Sequence, residues 1–218
     1  MCQLIETIKC RDGVLFNLSY HQSRVTHARR DIFGVTREVF LNDAVSIPPE
    51  CSTGLFRCRV TYSRSIEKIE FLPHEYRQVQ SLKLIEDNNI DYRYKFACRQ
   101  LLEKLFSQRG SCDDILIIKN GCITDSLTAN VIFYDGSRWW TPDTPLLAGT
   151  QQARLLDEGK ISTCRITPLD LKKYKKAGLI NAMQDMENMP VMGMERVNIG
   201  KEILGAQQNK VYTNKTSI

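Results

Sequence analysis

Three charged side chains in this sequence stand in local patterns that suit catalysis as well as an ordinary surface role: Lys95, Asp125 and Arg24. Lys95 lies among aromatic and apolar neighbours in residues 92–98. A lysine in such a segment either extends its ammonium group to solvent or is desolvated. A desolvated lysine has a lowered pKa and can form a Schiff base with a carbonyl compound. Lys95 is therefore a candidate catalytic residue.

Asp125 follows a strong hairpin signal. Asn120-Gly121 favours a two-residue turn, because both central residues of that turn take positive φ. The sequence predicts strands at residues 114–119 and 130–134, with Asp125 in a non-repetitive bend between them. A carboxylate there is either a solvated turn residue or the partner of a cofactor's protonated ring nitrogen.

Gly149-Thr150 and Arg24 form a candidate phosphate-binding set. Gly149-Thr150 begins a predicted short helix that ends near Leu156, and free backbone N–H groups at such a start can bind a phosphate. Many helices begin with similar residues, so this signal is weak alone. Arg24 lies on a helix predicted over residues 20–33, with Ser19 as N-cap and Gly34 as its end. It either faces solvent or completes a phosphate clamp.

The elements that must position these residues predict an α+β chain. Strands and one helix dominate residues 1–90, which we expect to form a small domain. A turn-like segment at residues 87–91 precedes a larger domain at 91–218. This second domain opens with a helix predicted over residues 94–108, with Lys95 at its start. The tail after Gly205 is polar and predicted to be loose.

The composition of the chain argues against several classes of function. The chain has 218 residues and a net charge of +5, without the aromatic and basic motif of a nucleic-acid-binding protein. This mild positive balance favours an anionic small-molecule substrate. The eight cysteines contain no C-x-x-C pair, so no metal site is predicted. No signal peptide or membrane-length apolar run is evident, and we expect a cytoplasmic protein with reduced thiols.

In order along the chain, six groups of residues resemble the class IV aminotransferases, the pyridoxal-phosphate enzymes of fold type IV. Family members include branched-chain and D-amino-acid aminotransferases and 4-amino-4-deoxychorismate lyase. The similarity extends from about residue 4 to residue 197 and rests on these groups: Glu6-Thr7; His21-x-x-Arg24; Lys95; residues 123–126 with Asn130 and Phe133; residues 145–150; and residues 181–183 with Pro190-Val191.

The resemblance implies a cofactor and a role for each matching residue. Lys95 would hold pyridoxal 5'-phosphate through a Schiff base and move protons, and Asp125 would pair with the pyridinium nitrogen. Arg24, Gly149 and Thr150 would bind the phosphate. Asn181 and Ala182, with Met183, would form a loop over the cofactor and a small-molecule amino substrate. The family also implies a homodimer and two domains, a small α/β sandwich and a larger pseudo-barrel.

The sequence departs from the family pattern at three places. Asp125 stands where glutamate is usual, and Gln152 stands where arginine is frequent. Strands that usually occupy some twenty residues before Glu6-Thr7 are absent, so the resemblance predicts a compact variant. Arg154 lies two residues beyond the arginine position and does not match the motif.

Three functions stay open at this stage. The first is 4-amino-4-deoxychorismate lyase, which is favoured by the short chain and by residues 181–183 and 189–191. The second is an aminotransferase for branched-chain or D-amino acids. The third is a catalytically weak pyridoxal-phosphate-binding homologue, a reading based on Gln152 and the missing N-terminal strands.

Overall fold

The structure, a computed structural model, describes residues 3–200 of the chain. The predicted loose tail after Gly205 lies outside the described residues. The first part of the fold is a four-stranded antiparallel sheet with the order β2-β1-β3-β4. Its strands are β1 (Leu4–Arg11), β2 (Val14–Leu15), β3 (Leu55–Tyr62) and β4 (Ile66–Pro73).

Helix α1 (Leu18–Phe33) packs on one face of this sheet and confirms the predicted helix. Its Val25 and Ala28 are buried against Leu4 and Ile8 of β1. Gly34 ends the helix at φ 64°, as expected. The predicted N-cap Ser19 is wrong, because the helix begins two residues earlier than expected and Asn17 occupies the cap with φ 56°. The short helix α2 (Leu41–Ala44) follows.

Strand alternation gives the four-stranded sheet two chemically different faces. One, here called the α1 face, carries mainly buried apolar side chains: Leu4, Ile8, Cys58 and Val60. The opposite one, here called the cavity face, carries residues that line a cavity: Ile5, Thr7, Arg57 and Arg59.

The second sheet has nine strands and contains the largest apolar core cluster of the described residues. The order β10-β9-β8-β7-β6-β5-β13 forms its main path, and β11 pairs with β8 and β12. Its strands are β5 (Leu82–Glu86), β6 (Asp114–Lys119), β7 (Cys122–Ser126), β8 (Asn130–Tyr134), β9 (Trp139–Pro142), β10 (Ile161–Cys164), β11 (Lys176–Ile180), β12 (Val191–Gly193) and β13 (Val197–Asn198).

The Asn120-Gly121 turn is confirmed. Both residues have positive φ, 52° and 77°, and the turn joins β6 to β7. The predicted strands at residues 114–119 and 130–134 are β6 and β8. The predicted bend around Asp125 is wrong, because β7 runs to Ser126 and Asp125 pairs with Asn130 of β8.

The helix predicted over residues 94–108 is also wrong in its first half. Helix α3 covers Gln100–Phe106 and continues as a 3-10 turn at Ser107–Arg109. Residues around Lys95 instead form a bridge beside β1, where Phe96 faces Leu4. Aromatic residues suit an extended segment at a sheet edge as well as a helix, and pairing with β1 decides between them.

The remaining helices include the short helix that the sequence predicts after Gly149. Helix α4 (Thr150–Asp157) begins at Gly149-Thr150, as expected from the sequence. Other 3-10 turns lie at Pro49–Cys51, Pro168–Lys173 and Met194–Arg196. Among residues 3–200, no helix has the length and apolar character needed to cross a membrane.

The α+β fold class is confirmed by these mixed elements. The division into domains 1–90 and 91–218 stays a prediction. The change from one sheet to the other, however, falls earlier than residue 90. It lies between β4 and β5, because β5 pairs with β6 in the nine-stranded sheet.

Candidate active site

A cavity of about 510 Å³ is lined by both sheets and by the start of α4. All of the site residues predicted from the sequence line it: Arg24, Lys95, Asp125, Gly149, Thr150, Asn181 and Ala182. The fold therefore brings together residues that are up to 158 positions apart in sequence, from Arg24 to Ala182.

Lys95 is held in the cavity by backbone pairing to β1. The Ile5 N–H donates to the Lys95 carbonyl at 2.9 Å, and the Ala97 N–H donates to the Gln3 carbonyl at 2.9 Å. Since Phe96 faces Leu4 on the α1 face, the alternation places Lys95 on the cavity face. Burial, assisted by the charge of Arg24, lowers the pKa of Lys95 to about 8. About a tenth of the amine is thus unprotonated and nucleophilic at pH 7.

Asp125 is a buried carboxylate that is held by neutral donors. The Asn130 side-chain amide donates to Oδ1 at 2.8 Å, and the Leu147 N–H donates to Oδ2 at 2.9 Å. Burial raises the pKa of Asp125 to about 7, although both hydrogen bonds act in the opposite direction. No ion pair to Asp125 is found within residues 3–200. The carboxylate is therefore fixed in position and open to a cationic group in the cavity.

Position 149 requires glycine because its backbone lies close to the side chain of Asn130. A Cβ at position 149 would lie 1.8 Å from Asn130 Oδ1, while φ at Gly149 is an ordinary −76°. Asn130 also donates to the Leu147 carbonyl at 3.0 Å. The same amide thus fixes both the Asp125 carboxylate and the loop that leads into α4.

Arg24 is anchored by the buried carboxylate of Glu6. Glu6 belongs to one of the sequence motifs, but no role was predicted for it. Its Nε and Nη2 atoms donate to Glu6 at 2.9 and 2.6 Å, and Nη1 donates to the Ala148 carbonyl at 3.1 Å. Glu6 is fully buried. Burial alone would raise the pKa of Glu6, but Arg24 and His21 outweigh it and lower that pKa to about 2. Arg24 is consequently held beside the loop before α4.

His21 links this ion pair to the start of α4. Its Nδ1 lies 2.6 Å from Glu6, and its Nε2 lies 3.4 Å from the Thr150 hydroxyl. Burial lowers the pKa of His21, although Glu6 acts in the opposite direction. The lowered pKa favours the neutral ring. In that form Nδ1–H donates to Glu6, and Nε2 accepts from Thr150.

The predicted loop of Asn181, Ala182 and Met183 lies at the cavity, after the end of β11. Asn181 Oδ1 accepts from the N–H groups of Met183 at 2.9 Å and Gln184 at 3.1 Å. The Asn181 side chain therefore stabilises the turn of its own loop.

Gln152, which replaces a frequent arginine of the family, does not line this cavity. It is buried, and its amide donates to the Thr141 hydroxyl at 2.8 Å. Arg154 forms an ion pair with Glu158 at 3.4 Å on the same helix. Gln152 consequently supports the packing of α4 on β9, and Arg154 does not take the place of the missing arginine.

Sequence reasoning missed a group of cationic residues in the cavity. Besides Arg24 and Lys95, the lining includes Arg57, Arg59, Arg77 and Arg99, against the carboxylates of Asp125 and Glu103. An available signal was the alternation in β3, where Arg57 and Arg59 take one face and Cys58 and Val60 the other.

Comparison with known proteins identifies the family. The model of the amino-transferase class IV family matches residues 3–191. The chain belongs to this family. Family membership makes the chain a pyridoxal-phosphate-dependent enzyme of fold type IV.

Two similar proteins come from Haemophilus species. An uncharacterized protein of Haemophilus influenzae is 35% identical over 188 residues, which cover 85% of this chain and all of that relative. The crystal structure of a candidate 4-amino-4-deoxychorismate lyase from Haemophilus somnus is 34% identical, with a TM-score of 0.81. That match covers 85% of this chain and 98% of the Haemophilus somnus chain.

A more distant structure shares the fold. The pyridoxal-phosphate-bound form of a hypothetical aminotransferase from Mycobacterium tuberculosis has a TM-score of 0.72 at 16% identity. The match covers 94% of this chain and 88% of the other.

The residues of the cavity fit pyridoxal phosphate. Lys95 supplies an amine whose pKa is lowered to about 8, and Asp125 supplies a fixed carboxylate that forms no ion pair among residues 3–200. Arg24 lies beside the glycine turn that begins α4, which is the kind of site that binds a phosphate group.

Proposed function

We propose that this enzyme is a 4-amino-4-deoxychorismate lyase, which converts its substrate to 4-aminobenzoate and pyruvate. The single observation that carries the proposal is the convergence of Lys95, Asp125, Arg24 and the Gly149-Thr150 turn on one cationic cavity. The similarity to the Haemophilus somnus protein supports the choice of reaction.

In this proposal, each group of residues has a distinct role. Arg24 and the N–H groups at Gly149-Thr150 bind the phosphate, and Asp125 pairs with the ring nitrogen of the cofactor. When bound, pyridoxal phosphate supplies an electron sink for electrons released at the carbon that carries the amino group. Asn181 and Ala182 border the substrate side of the cavity.

Lys95 acts both as the point of attachment and as the proton carrier. Its lowered pKa, about 8, leaves enough free amine to bind the cofactor aldehyde covalently. Beside a bound substrate, the free Lys95 amine would remove and return protons. Loss of a proton and departure of pyruvate leave the aromatic ring of 4-aminobenzoate.

An assay of purified holoenzyme with 4-amino-4-deoxychorismate tests the reaction. We expect release of 4-aminobenzoate and pyruvate in equal amounts, and loss of both products in Lys95→Ala. That variant should also lose the visible absorbance of lysine-bound cofactor. Wild-type holoenzyme that forms no 4-aminobenzoate would exclude the lyase, and retention of the lysine-bound absorbance in Lys95→Ala would exclude the role of Lys95.

The runner-up function is an aminotransferase, because the cationic lining would also suit an acidic amino acid or keto acid. The same holoenzyme, incubated with L- and D-amino acids and either 2-oxoglutarate or pyruvate, tests it. Formation of new keto acids without 4-aminobenzoate would favour the aminotransferase.

We further propose that the enzyme is a cytoplasmic homodimer, as the family resemblance implies. Light scattering of the purified holoenzyme measures its mass, and a monomeric mass would contradict the dimer.

A further inference from the structure

A second, smaller cavity lies where the four-stranded sheet meets helix α4, and its volume is about 70 Å³. Its walls come from the β1–β2 hairpin, the turn before α1, helix α4 and the loop after β11. Within residues 3–200, Ala182 is the only lining residue that this cavity shares with the larger one. Arg24, Gly149 and Thr150 line the larger cavity alone. The small cavity, here called the hairpin cavity, is therefore separate from the candidate phosphate site.

Lys9 brings a buried ammonium group to the hairpin cavity. The residue is 6% exposed, and its Nζ atom lies 3.9 Å from Asp185 Oδ2 and 5.3 Å from the centre of the Phe16 ring. The distance to Asp185 is too long for a hydrogen bond, and no hydrogen bond from Nζ is found within the described residues. An ammonium group has three donors, and burying it is costly unless they are satisfied. Lys9 thus has donors available to a further ligand.

Helix α4 contributes two further donors without partners. Gln151 is 2% exposed, and its Oε1 atom accepts from the Asn17 amide at 2.9 Å. The Nε2 atom of Gln151, however, makes no hydrogen bond within residues 3–200. The Nε atom of Arg154 is likewise buried and unpaired in this part of the chain, although Nη1 lies 3.4 Å from Glu158. Because buried donors are normally satisfied, their presence around one cavity indicates a ligand that supplies acceptors.

Charge and volume restrict what that ligand can be. The lining has two cationic side chains, Lys9 and Arg154, against the single carboxylate of Asp185. A monovalent anion would neutralise the excess positive charge, whereas a dianion would leave an excess of negative charge. A water molecule occupies about 30 Å³ in the liquid, so this cavity has room for a group of roughly three heavy atoms. The lining therefore suits a small oxyanion with one charge.

We propose that the hairpin cavity is a binding site for a small monovalent oxyanion, of the size of formate, held by Lys9, Gln151 and Arg154. The anion would accept charge-assisted hydrogen bonds from the ammonium and guanidinium groups and a further bond from the Gln151 amide. Lys9 belongs to the four-stranded sheet, and Gln151 and Arg154 belong to α4. The anion would thus connect these two parts of the fold and stabilise their packing. It takes no part in the proposed reaction, so the inference is independent of the lyase proposal.

Thermal unfolding of the holoenzyme measures the effect of the bound anion. Formate is the probe, and chloride at the same ionic strength is the reference, because a single atom cannot reach all three donors. With a Kd of about 1 mM, formate at about 100 mM should raise the midpoint temperature of unfolding by roughly 5 to 10 °C relative to chloride. Calorimetry with formate should give a single site per chain.

Two substitutions remove the proposed donors. Gln151→Glu keeps the Oε1 acceptor for Asn17 and replaces the free donor with a carboxylate oxygen. Lys9→Met keeps an apolar stem and removes the ammonium group. Each should weaken formate binding at least about 10-fold and remove most of the formate-dependent rise in the midpoint temperature. Lys172→Met, at an exposed position outside both cavities, is the matched control and should keep the full rise.

A further variant separates the hairpin cavity from the larger one, whose cationic lining also suits formate. The double variant Arg57→Met, Arg59→Met removes two cations from the larger cavity alone and should keep the formate effect. Loss of the effect in this double variant, or its full retention in either Lys9→Met or Gln151→Glu, would overturn the inference. Equal midpoint temperatures of the wild type in formate and in chloride would also overturn it, because the hairpin cavity would then hold only water.

Discussion

The arginines beside the two faces of the four-stranded sheet differ in whether a carboxylate of the protein binds them. On the α1 face, Arg24 donates to Glu6 at 2.6 and 2.9 Å. On the cavity face, Arg57 and Arg59 have buried Nε atoms without a hydrogen-bond partner among the described residues. A charge with an internal partner helps to hold the fold, whereas a charge without one is available to a ligand.

The same distinction applies to the two buried carboxylates of the site. Glu6 contacts two basic side chains, Arg24 and His21. Asp125 has neutral donors and no ion pair in residues 3–200. We therefore expect substitutions at Glu6 to act mainly on stability and substitutions at Asp125 to act mainly on turnover.

The largest expected effect is on turnover, at Asp125. Asp125→Asn keeps the shape and removes the negative charge, so a bound pyridine ring would lose its counter-charge. We expect kcat to fall by about 10²- to 10³-fold, with the cofactor still bound. The matched control is Asp143→Asn, at an exposed position outside the cavity. Unchanged turnover in Asp125→Asn would remove Asp125 from the mechanism.

The next largest effect is on stability, at Glu6. Glu6→Gln leaves Arg24 without its buried counter-charge, which should lower the free energy of unfolding by about 3 kcal/mol. Because the pKa of Glu6 is lowered to about 2 in the fold, the ionised form stabilises the protein above its ordinary pKa of 4.5. The deficit of the variant should therefore shrink as pH falls from about 4.5 towards 2.

Denaturant unfolding at several pH values measures this effect. Glu187→Gln, at an exposed position, serves as the control and should show no deficit. A Glu6→Gln deficit that stayed constant down to low pH would show that the charge of Glu6 is not its cause.

A smaller effect concerns Lys95. With a pKa of about 8, the free-amine fraction and hence the rate of cofactor attachment to apoprotein should rise roughly 10-fold between pH 7 and pH 9, then level off. An ordinary lysine would give a rise of roughly 100-fold over the same range without levelling. Stopped-flow absorbance after mixing with pyridoxal phosphate distinguishes the two profiles.

The smallest effect is expected at the unpartnered arginines. Arg59→Met removes a charge that forms no hydrogen bond or ion pair among the described residues, so the free energy of unfolding should change by less than about 0.5 kcal/mol. Thermal unfolding beside Glu6→Gln provides the direct comparison. A loss of unfolding free energy as large as that of Glu6→Gln would contradict the expected difference between the two faces.

Local patterns in the sequence were sufficient for several elements. The Asn120-Gly121 turn was predictable because its positive φ values depend on two adjacent residues. The end of α1 at Gly34 and the start of α4 at Thr150 were predictable because such helix boundaries depend on a few neighbouring residues. The order of the family motifs also pointed to the residues that line the cavity, although each motif was modest alone.

Pairing between distant segments decided the rest. The aromatic residues around Lys95 fit a helix locally, but hydrogen bonds from Ile5 and to Gln3 hold them in an extended bridge beside β1. Asp125 looked like a bend residue, yet its pairing with Asn130 continues the strand to Ser126. No local rule contains these contacts, because backbone hydrogen-bonding groups are satisfied by whichever partner the fold supplies.

By itself, the sequence determined the Asn120-Gly121 turn, the end of α1, the start of α4 and the set of residues capable of the chemistry, since these depend on neighbouring residues and on residue type. Only the tertiary structure decided which charges have partners. The side chains of Arg24, Arg57 and Arg59 are chemically identical, and Arg24 alone of the three lies against Glu6. That difference arises from the alternation of β1 and β3 and from the packing of α1 on one face of their sheet.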